Sequence, residues 1–174
     1  MLDHHRSFEA LALPHLDAAY NLARWLCGSP SDADDIVQDA MLRAFRAFDG
    51  FRGDNVRGWL LVIVRNCWRR KSADSRRRRQ TALPTDYEET LVYDGPDPEA
   101  LTLGADRWRR LTKLVQELPA DFREAFLLRE IEDMSYRQIA EVTGAPIGTV
   151  MSRLARARAL LKNQWRAEDG YDVP

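Results

Sequence analysis

The segment over residues 135–162 constrains the fold of this chain most strongly, because it predicts two short helices joined by a tight turn. Ser135, with Gln138 three residues later, forms a capping-box pattern that marks the start of the first helix. Gly144 is suited to the left-handed backbone position that commonly ends a helix. Pro146 can open a second helix, since it has no amide proton to leave unpaired. Together these residues outline a helix-turn-helix.

The second helix of this pair, after a turn over residues 145–148, has two distinct faces. Alternating steps of three and four give one apolar stripe that we expect to be buried, formed by Ile147, Val150, Leu154, Ala157 and Leu161. The opposite face carries Thr149, Ser152, Arg153 and Arg156. A helix fits the DNA major groove, where arginine binds guanine bidentately and serine or threonine reaches base edges. The polar face therefore indicates a DNA-reading helix, with a solvated helix on an ordinary bundle as the alternative.

The formal net charge of −1 hides a separation of positive and negative side chains along the chain. Residues 80–106 contain acidic but no basic side chains, whereas residues 76–79 are all arginine and residues 153–166 contain no acid. The 174 residues, 45% hydrophobic and 30% charged, suffice for one or two soluble domains with real cores. Because phosphate neutralisation supplies much of the affinity for DNA, a protein of this charge would bind duplex DNA only with help.

The two cysteines, Cys27 and Cys67, are isolated and have no histidine pattern nearby. They indicate neither a metal site nor a disulfide framework, and we expect no cofactor. The first residues lack the apolar core of a signal peptide, and no run of about eighteen apolar residues indicates a membrane span. A reduced, cytoplasmic protein without membrane insertion is the expectation.

The first half of the chain contains a helix with an acidic face. We expect Ser31 to cap this helix, with aspartates in its first turn, where the helix dipole favours acids. Four residues fall off the apolar stripe and form the acidic face, namely Asp35, Gln38, Asp39 and Leu42. Such a face could dock a basic protein partner. From spacing alone, however, a well-capped and solvated surface is the preferred interpretation.

A glycine-punctuated loop over residues 50–58 carries an exposed Phe51 and leads into a helix over residues 59–70. Arg65, Asn66 and Arg69 project from one side of that helix, and the basic run continues from it. Basic side chains beside aromatics and an amide suit single-stranded or distorted nucleic acid. A core helix followed by a disordered arginine tail explains the same residues equally well.

The whole pattern predicts an all-α chain of two small helical domains. The first domain is expected over residues 1–79, an acidic, flexible linker over 80–105, a four-helix domain with the helix-turn-helix over 106–166, and a tail over 167–174.

Three motifs in order make the chain resemble the extracytoplasmic-function (ECF) sigma factors, small promoter-specificity subunits of bacterial RNA polymerase. They are SDADDIVQDAMLRAF at residues 31–45, FRGDNVRGWLLVIVRN at 51–66, and LPADFREAFLLREIEDMSYRQIAEVTGAPIGTVMSRLARAR at 118–158. Each motif alone is moderate evidence, but three around an acidic linker are specific. The likeness extends from about Phe8 to Trp165, and it makes the two domains similar to sigma regions 2 and 4.

The resemblance assigns roles in the first domain. It implies that the clamp helices of the largest polymerase subunit are bound by Asp35, Gln38, Asp39 and Leu42. It also implies that the −10 element is recognised as a single strand with an extruded base, by Phe51, Arg52, Asp54, Asn55, Arg65, Asn66, Arg69 and Arg70.

The resemblance likewise implies that the second domain reads the −35 element as duplex. Its base-facing residues would be Thr149, Met151, Ser152, Ala155 and Arg156, and its phosphate contacts Arg129, Arg153 and Arg158. Met151 and Ala155 replace the basic and larger side chains common in the family, which shifts readout toward Arg156 and DNA shape. This domain would also rest on the polymerase flap, and an anti-sigma factor would cover the polymerase-binding faces. We expect the free protein to be a monomer.

Other function classes fit less well. A stand-alone helix-turn-helix regulator would bind a two-fold operator as a dimer without polymerase. An enzyme is not expected, because the sequence has no paired catalytic carboxylates, no glycine-rich phosphate loop and no nucleophile with a histidine partner.

Overall fold

The computed structural model describes residues 8–81 and 103–168, and the regular elements in these two ranges are all helical. Their bounds are α1 over residues 8–12, α2 Leu16–Cys27, α3 Pro30–Ala47, α4 Val56–Thr81, α5 Leu103–Glu117, α6 Ala120–Glu130, α7 Tyr136–Thr143 and α8 Ile147–Glu168, with short 3₁₀ turns at Leu13–His15 and Phe48–Gly50. The helices form two compact units, α1–α4 and α5–α8. The predicted all-α fold with two helical domains is therefore confirmed.

None of the described helices is both long and apolar enough to span a membrane. The proposed linker over residues 80–105 falls mostly outside the described ranges, as do residues 169–174 of the proposed tail. α4 continues to Thr81, and α8 continues to Glu168. The domain boundaries themselves remain a prediction.

The core of the first unit lies where α2, α3 and α4 pack together. Its most deeply buried side chains are Leu22, Leu26, Ile36, Ala40, Leu60, Leu61 and Val64. Phe8 of α1 closes one end of this core by packing edge-on against Phe45 and Phe48, with ring centroids 5.3 and 5.4 Å apart. Burial of large aliphatic side chains contributes about 1.5–3 kcal/mol each, so this core holds the three helices together.

Helix α3 begins earlier than the sequence pattern predicts. Its N-cap is Ser29, whose Oγ accepts a hydrogen bond from the Asp32 amide at 3.4 Å, and not Ser31. The prediction was wrong because Pro30 fits the first helical position, where no amide proton is needed. Gly28, with a φ of 78°, ends α2 and allows the sharp change of direction into α3.

Helix α4 is capped by Asn55, whose Oδ1 accepts a hydrogen bond from the Gly58 amide at 2.8 Å. A Cβ atom at Gly58 would lie 2.5 Å from Asn55 Nδ2, so glycine leaves room for the cap. The arginines at 76–78 continue α4 as helix, and a disordered arginine tail is therefore ruled out for them.

The second unit is a four-helix domain, as predicted, and α7 and α8 form its helix-turn-helix. Both halves of the capping box at Ser135 and Gln138 are present, and Gly144 has a φ of 68°. The turn is shorter than expected: α8 starts at Ile147, with the Val150 amide bonded to the Pro146 carbonyl at 3.0 Å. Residue 148 thus lies in the first helical turn.

The buried stripe of α8 consists of Val150, Leu154, Ala157 and Leu161, all at most 8% exposed. Ile147, which was also predicted to be buried, is 47% exposed. It is the first residue of α8, and helical Cα–Cβ bonds tilt toward the N-terminus, so its side chain projects beyond the end of the helix.

The capping box predicts how α7 responds to mutation. Ser135→Ala should weaken protection of the α7 amides from hydrogen exchange about fivefold, since loss of a serine cap costs about 1 kcal/mol. Ser152→Ala is the matched control: it removes an exposed hydroxyl that bonds only the Thr149 carbonyl within α8. Hydrogen-exchange mass spectrometry measures both. Equal loss of protection in the two variants would contradict a special role for the cap.

Candidate functional site

The acidic face of α3, defined as Asp35, Gln38, Asp39 and Leu42, lies on the side of the helix opposite its buried residues. Leu42 is 52% exposed and the Asp35 side chain 70% exposed. The four positions are separated by three and four residues, which places them side by side. The helix thus presents two carboxylates, an amide and an apolar side chain together on one accessible surface.

Lys71 of α4 pairs with this face from its edge. Its Nζ lies 2.6 Å from Asp32 Oδ1 and 2.9 Å from Asp35 Oδ2. Partial burial lowers the pKa of Lys71, but hydrogen bonds to the two carboxylates outweigh burial and raise it overall. Spacing along α3 alone could not reveal this counter-charge, because Lys71 belongs to another helix.

A groove of about 330 Å³ separates α3 from α4 next to the acidic face, and its lining includes Asp39, Cys67 and Arg70. Asp39 also forms an ion pair with Arg43 at 2.8 Å, and that hydrogen bond lowers the pKa of the Asp39 carboxyl. Burial, followed by the hydrogen bond and charge of Asp39, raises the pKa of the Cys67 thiol to about 11. The thiol is therefore protonated and unreactive near neutral pH.

The loop residues assigned to −10 recognition are partly structural. Phe51 is half-buried rather than exposed, since its ring packs on Trp59 with centroids 4.9 Å apart. Arg52 donates hydrogen bonds to the carbonyls of Asp49 and Phe51, at 2.5 and 3.0 Å. Asn55 caps α4, so its side-chain oxygen is already used. Asp54 is exposed.

The remaining −10 candidates lie further along α4. Asn66 is exposed, and its Oδ1 accepts a hydrogen bond from Arg65 at 3.2 Å. The Arg69 guanidinium lies 6.0 Å from the Trp68 ring centroid, while Arg70 is exposed. At a rise of about 1.5 Å per residue, Asn66 lies about 15 Å along the helix from its first turn. The loop and the Asn66 region are therefore two separate parts of the surface rather than one cluster.

The outward face of α8 holds the residues assigned to base contacts. Met151, Ser152, Ala155 and Arg156 are exposed and Thr149 is half-buried. Ser152 Oγ donates to the Thr149 carbonyl at 2.9 Å. The Arg156 guanidinium forms no hydrogen bond or ion pair with the described residues and is free to bind a ligand.

The three arginines assigned to phosphates each have a partner within the second unit. Arg153 Nη2 lies 2.8 Å from Asp121 Oδ2, and Arg158 Nη2 lies 2.7 Å from Glu130 Oε1. Arg129 Nη1 donates to the Met134 carbonyl at 2.9 Å. The hydrogen bond to Glu130 raises the pKa of Arg158. These contacts tie α8, and the segment before α7, to α6.

Comparison with known proteins identifies the family. The Sigma-70 region 2 model matches residues 11–80, and the Sigma-70 region 4 model matches residues 108–161. The chain is 34% identical to the ECF RNA polymerase sigma-E factor of Haemophilus influenzae, over 78% of this chain and 76% of that protein. It is also 34% identical to the ECF RNA polymerase sigma-E factor of Escherichia coli, over 76% of this chain and 73% of that protein. The chain belongs to the ECF RNA polymerase sigma factors.

A further relative of this ECF sigma factor is SigE of Mycolicibacterium smegmatis, which is 35% identical over 90% of the chain; the chain spans 61% of that protein. Two solved structures are similar to the structure of this chain. The sigma factor RpoE of Bartonella quintana, in complex with the anti-sigma factor NepR, has a TM-score of 0.72 and 27% identity, covering 92% of this chain and 98% of RpoE. CnrH, in complex with the cytosolic domain of CnrY, has a TM-score of 0.66 and 26% identity, covering 94% and 90%.

The raised pKa of Cys67 gives a testable pH dependence. In a Cys27→Ser variant, the rate of iodoacetamide alkylation should reach half its maximum near pH 11, because the pKa of Cys67 is raised from 9.0 to about 11. Folding favours the protonated thiol, so this contribution to stability is present below pH 9 and is lost as the pH rises to about 11.

Asp39→Asn removes the carboxylate but leaves the thiol buried. The alkylation midpoint should therefore fall, yet stay above 9.0, the ordinary thiol value. A midpoint near 9.0 in the Cys27→Ser variant that retains Asp39 would contradict the packing of Cys67 against Asp39 and α3. Circular dichroism at each pH verifies that the chain remains folded.

Proposed function

We propose that this ECF sigma factor directs core RNA polymerase to specific promoters and assists strand opening there. The observation that carries the proposal is the combination of an exposed acidic face on α3 with an exposed arginine-bearing face on α8. One surface suits a basic protein partner, and the other suits duplex DNA. In this proposal the protein acts in the cytoplasm, as a binding subunit and not as an enzyme.

The acidic face of α3 is the proposed contact with the clamp helices of the largest polymerase subunit. Asp35 and Leu42 are its most accessible members, and together they offer a charge and an apolar anchor. A basic side chain of the polymerase would replace Lys71 as the ion-pair partner of Asp35. Because Asp35 is already paired, this replacement requires little new desolvation. Exposed ion pairs of this kind contribute about 0–1 kcal/mol, which makes the exchange inexpensive.

An anti-sigma factor is the second proposed partner. The similar structures of RpoE and CnrH are described as complexes with NepR and with the cytosolic domain of CnrY. We infer that a comparable inhibitor covers the acidic face of α3 in this chain, in competition with polymerase.

The −10 element is proposed to be recognised at Asn66, with Arg65, Arg69 and Arg70 near the phosphates. Asn66 is exposed and carries both donors and an acceptor for an extruded base. Extrusion of a base costs a few kcal/mol of stacking, so contacts that favour the extruded state also favour strand opening. The loop over residues 51–55 would add contacts at the start of α4.

The −35 element is proposed to be read by the outward face of α8, with Arg156 as the principal hydrogen-bonding residue. Arg156 is available for a bidentate contact with guanine, whereas Arg153 is held by Asp121. The second unit would also rest on the polymerase flap.

Binding to core polymerase is the experiment that tests the proposal. Asp35→Arg should weaken binding of the purified chain to bacterial core RNA polymerase at least tenfold, because it reverses the most exposed charge of the acidic face. Asp34→Arg is the matched control: Asp34 is an exposed neighbour on α3, about 100° around the helix from Asp35. Titration of labelled chain with polymerase gives both affinities.

If the folded chain binds no polymerase but binds a palindromic duplex as a dimer, it is a stand-alone helix-turn-helix regulator. Equal losses in the Asp35→Arg and Asp34→Arg variants would indicate a diffuse charge effect and move the contact away from the acidic face.

Asn66→Ala tests the proposed role in strand opening. We expect unchanged affinity for core polymerase but at least tenfold less open complex at a responsive promoter, because the extruded base loses its hydrogen-bonding partner. Permanganate footprinting of thymines in the −10 region measures the opened strand. An intact footprint would exclude Asn66 from base capture, while loss of polymerase binding would show that the substitution acts elsewhere.

A further inference from the structure

Helix α8 exposes two large apolar side chains at the end that enters the DNA in a helix-turn-helix. Ile147 is 47% exposed and Met151 is 52% exposed. They are four residues apart and therefore neighbours on the helix surface. The N-terminal residues of a recognition helix make the base contacts in the major groove. An exposed apolar pair at this position suits a ligand group that gains from losing water.

The surroundings of the pair favour DNA over a protein as that ligand. Residues 147–167 contain five basic and no acidic side chains, and the basic ones are Arg153, Arg156, Arg158, Lys162 and Arg166. Around the helix axis, within residues 148–156, the part of the outward face between Met151 and Arg156 carries only small side chains or none, at Gly148, Ser152 and Ala155. A narrow helix surface with positive flanks fits between two phosphate backbones.

The largest apolar group on the base edges of the major groove is the 5-methyl group of thymine. Guanine presents hydrogen-bond acceptors there, and cytosine presents an amino donor. The Met151 thioether has no proton to donate to guanine and is only a weak acceptor for the amino group of cytosine. Methionine is also flexible and polarisable, so it can adjust to a methyl group without exact backbone placement.

The proposed function supplies the context on which this inference rests. We propose that Met151, supported by Ile147, contacts the 5-methyl group of a thymine in the −35 element. Met151 and Arg156 are five residues apart, about 140° around α8 and about 7.5 Å along it. At about 3.4 Å per base pair, the thymine lies within about two base pairs of the base that Arg156 contacts.

Replacing thymine with deoxyuridine removes this methyl group and nothing else. The probe is a promoter duplex selected by the reconstituted holoenzyme, the full chain with core RNA polymerase, from a library with a randomised −35 segment. Each thymine in the selected −35 segment is then replaced singly by deoxyuridine. Competition binding at one fixed salt concentration should show about fourfold weaker binding at one or two positions, the effect of losing one buried methyl group.

The variants assign the effect to its residue. Met151→Ala should bind the thymine and deoxyuridine duplexes equally, whereas Leu160→Ala should keep the fourfold difference. Leu160 is the matched control because it is another exposed apolar side chain of α8, 37% exposed, on the opposite flank of the helix. Ile147→Ala should reduce the difference only in part.

Equal binding of every deoxyuridine duplex by the unsubstituted protein would overturn the inference, as would a difference that survives Met151→Ala. Loss of polymerase affinity in Met151→Ala without DNA would make the pair a protein contact and would also overturn it. In each of these cases the sigma-factor proposal stands, because a −35 sequence is still selected. Failure to select any −35 sequence would instead count against the proposed function, and with it against this inference.

Discussion

Burial of the apolar stripe of α8 is the interaction on which the proposed DNA-reading surface depends. Val150, Leu154 and Ala157 are at most 1% exposed, so α8 has one rotational setting about its axis. A shift of one residue would turn the helix by about 100°, which would move either Arg156 or Met151 off the outward face and expose part of the apolar stripe. Since burial of a valine or leucine side chain contributes about 1.5–3 kcal/mol, Val150 and Leu154 strongly determine this setting, and readout can rely on single side chains.

The arginines of the second unit differ in how strongly the fold itself uses them. Arg153 is only 21% exposed and bonded to Asp121, so its exchange to a phosphate would leave a partly buried carboxylate unpaired. Arg158 is 48% exposed against a 40% exposed Glu130, a pair that contributes about 0–1 kcal/mol and can be exchanged. Arg156 has no ion-pair partner to exchange among residues 8–81 and 103–168. DNA contact should therefore cost least at Arg156, more at Arg158 and most at Arg153.

Patterns local in the sequence predicted most of the structure, apart from the cap of α3 and the first turn of α8, whereas contacts between helices could not be predicted from them. The capping box of Ser135 and the left-handed Gly144 depend on residues within one turn, so periodicity and residue chemistry were sufficient. The partners of Lys71 and Arg153 lie on other helices, 32 or more residues away along the chain. No spacing rule pairs such residues, and arginines that look available for phosphates therefore turned out to support the fold.

The two proposed interfaces have a common feature, an ion pair within the protein itself. On α3 the exposed Asp35 is paired with Lys71, and on α8 the exposed Arg158 is paired with Glu130. Each surface thus carries a counter-ion of its own. A partner of the matching charge must displace that counter-ion before it gains full Coulomb energy, so isolated contacts remain weak. Strong binding then requires many contacts made together. This requirement fits the proposed subunit, which would bind promoter DNA only while it is itself bound to polymerase.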